Sequence, residues 1–228
     1  MIMNIKVFIK NLLFVYLLLQ ISLSALAQKK PFEAEIKAFA KSDSIVAPLQ
    51  GKIVFVGSSS FAKWKDINQY FPGYPIINRG FGGSNLLDVI QYVNETVLKY
   101  KPKQVVIYCG ENDLASSDTV SPEIVLDRFS VLFNLIRQPL GNKTNITFIS
   151  NKPSVSRWRL EAKIIQANTL IAQFIAKQKN AHFINIHNAM LQGDGSVMKD
   201  IFIADNLHMN AKGYAIWQKI IFPGLLIK

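Results

Sequence analysis

The chain lacks the compositional features of disulfide-rich, disordered and repetitive proteins. Only one of its 228 residues is Cys, and only 18% are charged. A single Cys excludes a disulfide-rich scaffold, and a 50% hydrophobic composition excludes an intrinsically disordered chain. The 12 Gly and 9 Pro form no repeat, which excludes collagen-like and low-complexity sequence. One ordinary globular domain remains.

The N-terminal apolar run is too short for a membrane span. It covers residues 12–19, follows two lysines and precedes Ala25-Leu26-Ala27. Because a spanning helix needs about 20 apolar residues, the run favours a cleaved signal peptide over a membrane anchor. We expect cleavage after Ala27, with residues 1–27 as the signal peptide and 28–228 as one mature domain. The predicted product is secreted or periplasmic and keeps no stable membrane anchor.

The positive charge is large but dispersed. Lys and Arg number 26 against 15 Asp and Glu, a formal net charge of +11. The densest groups lie at 99–103 and 157–159, and no run of five basic residues occurs. We therefore expect no nucleic-acid partner. The oligomeric state is left open by the sequence.

The hydrophobic pattern from Lys52 onward alternates between two periods. Short apolar runs rich in β-branched residues predict buried strands, and the longer segments between them have apolar residues at helical spacing. Near-continuous hydrophobic strands separated by helices predict a three-layer α/β/α sandwich around a mainly parallel five-stranded sheet. The predicted strands are Ile53–Val56, Pro75–Asn78, Val105–Tyr108, Ile146–Ser150 and His182–Ile186, and the predicted helices are Asn85–Tyr100, Pro122–Arg137, Arg159–Lys179 and Ala211–Ile221.

Polar motifs follow the first three strands, and a fourth lies near the C-terminus. They are Gly57-Ser58-Ser59-Ser60, the segment 78–83, Gly110-Glu111-Asn112-Asp113, and Asp205-Asn206-Leu207-His208. Each alone is an ordinary turn sequence. Because ligands bind beyond the carboxyl ends of parallel strands, their order and chemistry together indicate a site.

The motifs contain the groups that a serine nucleophile needs. A serine hydroxyl requires a base, a group that orients the base, and donors for the oxyanion that forms on the attacked carbonyl. The spacing of Asp205 and His208 allows the carboxylate to reach Nδ1 and leaves Nε2 for a serine. Gly83 can supply a backbone N–H, and Asn112 can supply a side-chain amide.

Read in order, the four motifs resemble the blocks of the SGNH, or GDSL-type, serine esterase and lipase family over most of residues 53–217. The resemblance implies a flavodoxin-like fold, Ser59 as nucleophile, and His208 as general base positioned by Asp205. It also implies an oxyanion hole made by the Ser59 and Gly83 backbone N–H groups and Asn112, with no cofactor and no metal.

The first block departs from the family pattern, because Ser58 stands where an acidic residue is usual. The three consecutive serines also leave the nucleophile open among Ser58, Ser59 and Ser60, although block alignment favours Ser59. Two carboxylates, Glu111 and Asp113, flank Asn112 in what the sequence predicts to be a turn, and we interpret them as structural. Cys109 lies in an apolar run, where a buried, inert thiol is expected.

Three further residues are candidate substrate contacts. Trp158 could stack on a sugar ring and Arg157 could hold an anionic group, both in the loop after the fourth strand. Trp64 is a third candidate. For each, an ordinary packing role is the alternative interpretation.

The sequence therefore predicts a serine esterase that removes short acyl groups, acetyl above all, from a small-molecule, carbohydrate or lysolipid ester through an acyl-enzyme. One alternative is a carbohydrate O-acyltransferase that uses the same residues. Another is a catalytically silent glycan-binding module, in which Ser58 marks decay.

Overall fold

The structure of the chain, a computed structural model, describes residues 30–48 and 50–226. A division between compact parts of the chain falls after residue 33, and the sheet and the site described below lie in residues 34–228. The predicted signal peptide and its cleavage site lie outside the described residues, so they remain predictions. Within the described ranges, no helix combines the length and the apolar character needed to cross a membrane.

Five parallel strands form one sheet, which confirms the predicted fold class. The strands run in the order β2-β1-β3-β4-β5, and Ile53 of β1 pairs with Ile76 of β2 and Gln104 of β3. Each strand was predicted within two residues of its observed ends. The strands are β1 (Ile53–Gly57), β2 (Ile76–Gly80), β3 (Gln104–Tyr108), β4 (Asn145–Ile149) and β5 (Ala181–Ile184).

Helices cover both faces of this sheet. Alternate side chains of a strand point to opposite faces, so Phe55 packs with Phe61 and Trp217 on one side, while Phe148 packs against Phe129 on the other at 4.7 Å between ring centroids. Burying such aromatic side chains contributes roughly 2–3 kcal/mol each relative to exposure. The sheet is therefore the centre of two hydrophobic cores.

The long helices agree with the predicted pattern, but the short ones do not. The helices are α1 (Glu33–Ile45), α2 (Ser59–Ala62), α3 (Ile67–Tyr70), α4 (Leu86–Gln91), α5 (Val93–Thr96), α6 (Glu111–Ser116), α7 (Pro122–Leu140), α8 (Glu161–Ile175) and α9 (Ala211–Ile221). The predicted helix α9 is confirmed at both ends, and α7 begins at Pro122 after the Ser121 cap as expected.

The prediction of one continuous helix over Asn85–Tyr100 is wrong. The segment forms α4, α5 and a 3₁₀ turn at Leu98–Tyr100, because Tyr92 and Val97 leave the helical region of φ/ψ space. Both side chains are buried, as is that of Tyr100. Packing of these three side chains therefore overrides the helical spacing of the sequence.

The predicted turn around Asn112 is also wrong, because Glu111–Ser116 is helical. Gly110 makes the change of direction possible. Its φ of +123° is a conformation that other residues rarely adopt. The strand β3 therefore passes directly into α6, and Asn112 lies in the first turn of that helix.

The order of the strands places the Ser59 loop between two others. β1 lies between β2 and β3, so the chain segments that follow these three strands meet at one edge, where the winding direction reverses. Gly57 ends β1 with φ +139°, and a Cβ there would lie 1.9 Å from the Tyr108 carbonyl oxygen. Only glycine allows this close approach of β1 and β3.

Candidate active site

Ser59, His208 and Asp205 form a hydrogen-bonded chain at this edge of the sheet. His208 Nε2 lies 2.8 Å from Ser59 Oγ, and His208 Nδ1 lies 2.6 Å from Asp205 Oδ2. We call these three residues the triad. The structure thus brings together three side chains that are up to 149 positions apart in sequence.

The turn Asp205–His208 holds its own side chains in place. Asp205 Oδ1 accepts hydrogen bonds from the backbone N–H groups of Leu207 and His208, at 2.9 and 2.8 Å, and Asn206 adopts a left-handed φ of +56°. Burial raises the pKa of Asp205, but the hydrogen bonds from His208 and Leu207 outweigh it and lower the pKa to about 2. Asp205 is therefore ionised at neutral pH.

Geometry separates Ser59 from its two serine neighbours. Ser58 and Ser60 are only 5% and 3% exposed, whereas Ser59 is half-buried and its hydroxyl meets the imidazole. Tyr214 of α9 donates to the Ser60 carbonyl oxygen at 2.8 Å, which fixes the start of α2 on the core. Of the three hydroxyls, the structure places that of Ser59 against His208.

Three candidate oxyanion donors follow the carboxyl ends of β1, β2 and β3. Among the described residues, the backbone N–H groups of Ser59 and Gly83 make no hydrogen bond to a backbone carbonyl oxygen. Gly83 is exposed and has a φ of +70°. Asn112 Nδ2 donates one hydrogen to the Ser84 carbonyl oxygen at 2.9 Å, so Asn112 lies next to the Gly83 loop and retains a second amide hydrogen.

The Gly83 loop is itself held from the N-terminal helix. Gly82 N–H donates to Glu35 Oε1 of α1 at 2.9 Å. This contact was missed by the sequence analysis, because nothing in the α1 sequence distinguishes Glu35 from a solvated surface carboxylate. A helix preceding the first strand therefore supports one of the candidate oxyanion donors.

A cluster of buried charges lies next to Asn112. Glu111 accepts from Lys152 Nζ at 2.9 Å and from the Tyr108 hydroxyl at 2.7 Å, and Arg157 Nη1 lies 3.2 Å from its other oxygen. We call Glu111, Lys152 and Arg157 the charge cluster. Burial raises the pKa of Glu111, but Lys152 and Arg157 outweigh it, so the net direction is downward. Glu111 is thus an ionised, buried carboxylate.

The sequence indicated the loop that contains Lys152, but not the buried ion pair that Lys152 forms with Glu111. The Lys152 side chain is 1% exposed, and a buried ammonium is rare without a paired anion. A lysine directly after a buried strand, with a glutamate after the neighbouring strand, is the sequence pattern that could have indicated the pair. The contact joins residues 41 positions apart.

The three candidate substrate contacts have different surroundings. Trp64 is fully buried and stacks on Tyr214 at 4.6 Å between ring centroids. Its role is therefore packing in the core, and not the substrate contact suggested by the sequence. The guanidinium of Arg157 has protein partners, Glu111 and Asn112. Trp158 is 43% exposed, and a hydrogen bond from Ser156 N–H to the Asn206 carbonyl oxygen joins its loop to that of His208.

Two other residues near Asn112 have structural contacts. Asp113 is fully buried, accepts from Leu86 N–H at 2.9 Å and pairs with Arg128 at 2.7 Å. Cys109 is buried and free, as expected, and burial raises the pKa of its thiol well above the ordinary value. A protonated, inaccessible thiol is a poor nucleophile.

The arrangement suits acyl transfer through a serine. The imidazole is within hydrogen-bond reach of the hydroxyl, and an ionised carboxylate orients its other nitrogen. The backbone N–H groups of Ser59 and Gly83 and the second Nδ2 hydrogen of Asn112 are the candidate donors for an oxyanion.

A family comparison agrees with this geometry. Residues 43–216 match the model of the GDSL-like Lipase/Acylhydrolase family. The chain belongs to this family. That match spans the triad, Gly83 and Asn112, and it identifies the chain as a carboxylic ester hydrolase.

Solved structures of GDSL-like acylhydrolases share the fold. A GDSL-like lipase from Bacteroides thetaiotaomicron is 22% identical, with a TM-score of 0.68, covering 84% of this chain and 97% of its own. A lipase/acylhydrolase from Enterococcus faecalis is 24% identical, with a TM-score of 0.59, covering 78% and 99%. An acetylxylan esterase from Geobacillus stearothermophilus is 16% identical, with a TM-score of 0.60, covering 77% and 95%. A comparison with curated protein sequences finds no match.

Proposed function

We propose that this GDSL-like acylhydrolase is a serine esterase that hydrolyses short-chain acyl esters, acetyl esters in particular. The observation that carries the proposal is the hydrogen-bonded chain from Ser59 Oγ through His208 to Asp205. The acetylxylan esterase of the same fold supports acetyl as the acyl group.

The reaction follows from the contacts. Ser59 Oγ attacks the ester carbonyl carbon while His208 Nε2 takes the hydroxyl proton, and the carbonyl oxygen becomes an oxyanion. Donors from Ser59 N–H, Gly83 N–H and Asn112 Nδ2 stabilise that oxyanion. The C–O bond to the alcohol then breaks, and His208 returns the proton to the leaving alcohol. A water molecule then attacks the acyl carbon while His208 takes its proton; the bond to Ser59 Oγ breaks, His208 returns the proton to Ser59, and the acid is released, so no cofactor is needed.

Trp158 is our candidate contact for the alcohol part of the ester. It is an exposed aromatic side chain on a loop hydrogen-bonded to that of His208, and Ile203, 42% exposed, is part of the His208 loop. Ile203 N–H donates to the His208 carbonyl oxygen at 2.8 Å. A ring stacked on Trp158 would suit a sugar or another flat apolar group, which supports a carbohydrate ester.

A panel of esters tests the function. Nitrophenyl esters from acetyl to dodecanoyl, together with acetylated xylan, are incubated with the purified protein, and acid release is measured. We expect kcat/KM to be highest for acetyl or propionyl, and an organophosphate to label Ser59. The Ser59→Ala variant is the control for both measurements.

Other outcomes identify the alternatives. Transfer of acetyl to an added sugar without release of acetate would indicate an O-acyltransferase. Wild-type protein that binds glycan but neither hydrolyses any activated ester nor accepts the label would indicate a silent module. A preference for dodecanoyl esters would contradict the short-chain proposal.

We also propose that the protein is exported and that the mature chain begins at Gln28. The support is the short apolar run at 12–19 followed by Ala25-Leu26-Ala27. N-terminal sequencing of the protein purified from its native cells decides this. An intact Met1 on a membrane-bound product would contradict it.

A further inference from the structure

Arg157 joins the charge cluster to the candidate oxyanion donor. Its Nη2 donates to Asn112 Oδ1 at 2.8 Å, and its Nη1 lies 3.2 Å from Glu111 Oε1. We propose that Arg157 is a positioning residue, which fixes the orientation of the Asn112 amide and places a positive charge behind it. The inference rests on the proposed function of Asn112 as an oxyanion donor.

The Asn112 amide has a protein partner at each of its two ends. Its Nδ2 donates to the Ser84 carbonyl oxygen, and its Oδ1 accepts from Arg157. A flipped amide would set Oδ1 against a carbonyl oxygen and Nδ2 against a guanidinium, and both contacts would be repulsive. These two partners therefore permit one orientation and leave the second Nδ2 hydrogen for a ligand.

Arg157 is the partner that gives this orientation its rigidity. A guanidinium is planar and can hold two acceptors at once in fixed directions. Here it joins Asn112 to Glu111, whose side chain is 6% exposed and is held by Lys152 and Tyr108 as well. The Asn112 amide is thus connected to the core rather than only to its own loop.

Arg157 also acts on the Asn112 amide through its charge. In the charge cluster, Lys152 and Arg157 carry two positive charges and Glu111 one negative charge, and the ionised Asp205 also acts on Lys152. The positive charge that bears directly on Asn112 is therefore that of Arg157. Buried charges are poorly screened by water or salt. Because the Arg157 guanidinium contacts Asn112 directly, it polarises the amide toward stronger donation to a negative oxygen. That effect is larger for the oxyanion than for the neutral ester, as transition-state stabilisation requires.

The same contacts argue against a direct role in binding a substrate anion. The Arg157 side chain is 20% exposed, and two of its nitrogens already face protein acceptors. A substrate carboxylate could use only the N–H groups that these two acceptors leave, on a side chain that is mostly buried. An uncharged ester is therefore the correct substrate for the test.

A double-mutant cycle on a nitrophenyl acetate substrate tests the proposal. Arg157→Ala should lower kcat by about 10–100-fold, the effect of removing a charged hydrogen bond, with KM changed less than about threefold. In the Asn112→Ala background, Arg157→Ala should lower kcat by no more than about twofold further, because its target is gone. Arg157→Lys should recover part of the loss, since lysine keeps the charge but not the fork.

NMR of the Asn112 side-chain amide gives a second readout that needs no turnover. The Asn112 signal pair is identified by its absence in Asn112→Ala. Arg157→Ala should shift this pair, because the amide loses its cationic partner at Oδ1 and its χ2 torsion is no longer fixed from that side. Arg159→Ala is the matched control: Arg159 is 66% exposed and pairs with an exposed aspartate, and neither kcat nor the amide pair should change.

The outcomes separate the inference from the function on which it rests. An inactive wild type with an amide pair that responds to Arg157 would reject the proposed function and keep the positioning role. An active wild type would overturn the inference if the two losses multiply fully, if Arg157→Ala acts on KM alone, or if the amide pair is unchanged. If Arg157→Ala fails to fold, Arg157→Lys and Arg157→Gln carry the same comparison.

Discussion

The triad lies at the surface, whereas the charge cluster beside it lies inside the protein. The Asp205 side chain is 42% exposed and that of Lys152 is 1% exposed, although Asp205 and Glu111 are both ionised carboxylates with lowered pKa values. Asp205 owes this to hydrogen bonds within its own turn. Glu111 owes it to two cations from a loop 41 and more positions away.

This difference predicts different consequences of mutation. A triad residue can be replaced without leaving a charge unpaired in the core, so its loss should affect rate and not folding. Glu111 and Lys152 of the charge cluster cannot, because both ions are buried and each depends on the other. Replacing a triad residue should therefore leave the protein folded but inactive, whereas replacing a buried ion beside it should destabilise the fold.

The largest effect is expected for Ser59 and His208. Ser59→Ala and His208→Ala should each lower kcat by about 10⁴-fold or more, and the double variant should be hardly worse than either, because nucleophile and base act as a unit. Initial rates on nitrophenyl acetate measure this. Urea unfolding should change by less than about 0.5 kcal/mol in all three variants.

Two results would contradict the expectation that the triad affects rate and not stability. Substantial activity in Ser59→Ala, with loss in Ser58→Ala instead, would move the nucleophile. A large loss of stability in His208→Ala would show that the triad also supports the fold. Asp205→Asn is the milder third variant, since Asp205 orients the imidazole but does not attack.

The contact between Asp205 and His208 could be predicted from sequence because both residues lie in one turn, and their spacing allows carboxylate and imidazole to meet. The assignment of Ser59, 149 positions from His208, followed instead from the resemblance to the SGNH, or GDSL-type, family. The parallel sheet was equally accessible, since the apolar strands and the intervening helices have distinct periods. Together they place Ser59, Gly83 and Asn112 at one edge.

The charge cluster and the Glu35 contact were not predicted because they depend on long-range packing. The residues next to Lys152 do not indicate that its ammonium is buried. Glu111 was predicted to lie in a turn, but a helix begins after Gly110 and contains Glu111. The error for Trp64 was the opposite one. The sequence suggested a ligand contact for this aromatic residue, but its ring packs against Tyr214. For Lys152, Glu111 and Trp64, the sequence did not show that the side chain is buried.

The second-largest effect is expected for Lys152, and on stability. Lys152→Met should lower the free energy of unfolding by about 3–5 kcal/mol, because Glu111 loses a buried counter-ion. Urea unfolding measures this. The double variant Glu111→Gln, Lys152→Met should lose less than the single one, since no anion is then stranded. Lys212→Met is the matched control, because Lys212 forms an ion pair with Asp200 and is 69% exposed.

The pH dependence sharpens this prediction. The pKa of Glu111 is below its ordinary value of 4.5 in the folded protein, so the unfolded chain binds the proton more readily. Its contribution to stability is therefore complete above about pH 4.5 and is lost as pH falls through the folded-state pKa. Lys152→Met should make this part of the acid-induced loss smaller. An unchanged pH profile would contradict the role of Lys152 as counter-ion.

The smallest effect is expected at Glu35, which holds the Gly83 loop through Gly82 N–H. Glu35→Ala leaves Gly82 N–H without its acceptor, and we expect kcat on nitrophenyl acetate to fall by about three- to tenfold, the cost of one half-exposed hydrogen bond. Glu35→Gln keeps an acceptor oxygen and should lose less than Glu35→Ala. Lys41→Ala, an exposed site on the same helix, should leave kcat unchanged and so controls for a general effect on α1. If Glu35→Ala equals wild type, the Gly83 loop holds its shape without α1; if it loses as much as Asn112→Ala, α1 supports the oxyanion donors as strongly as the charge cluster does.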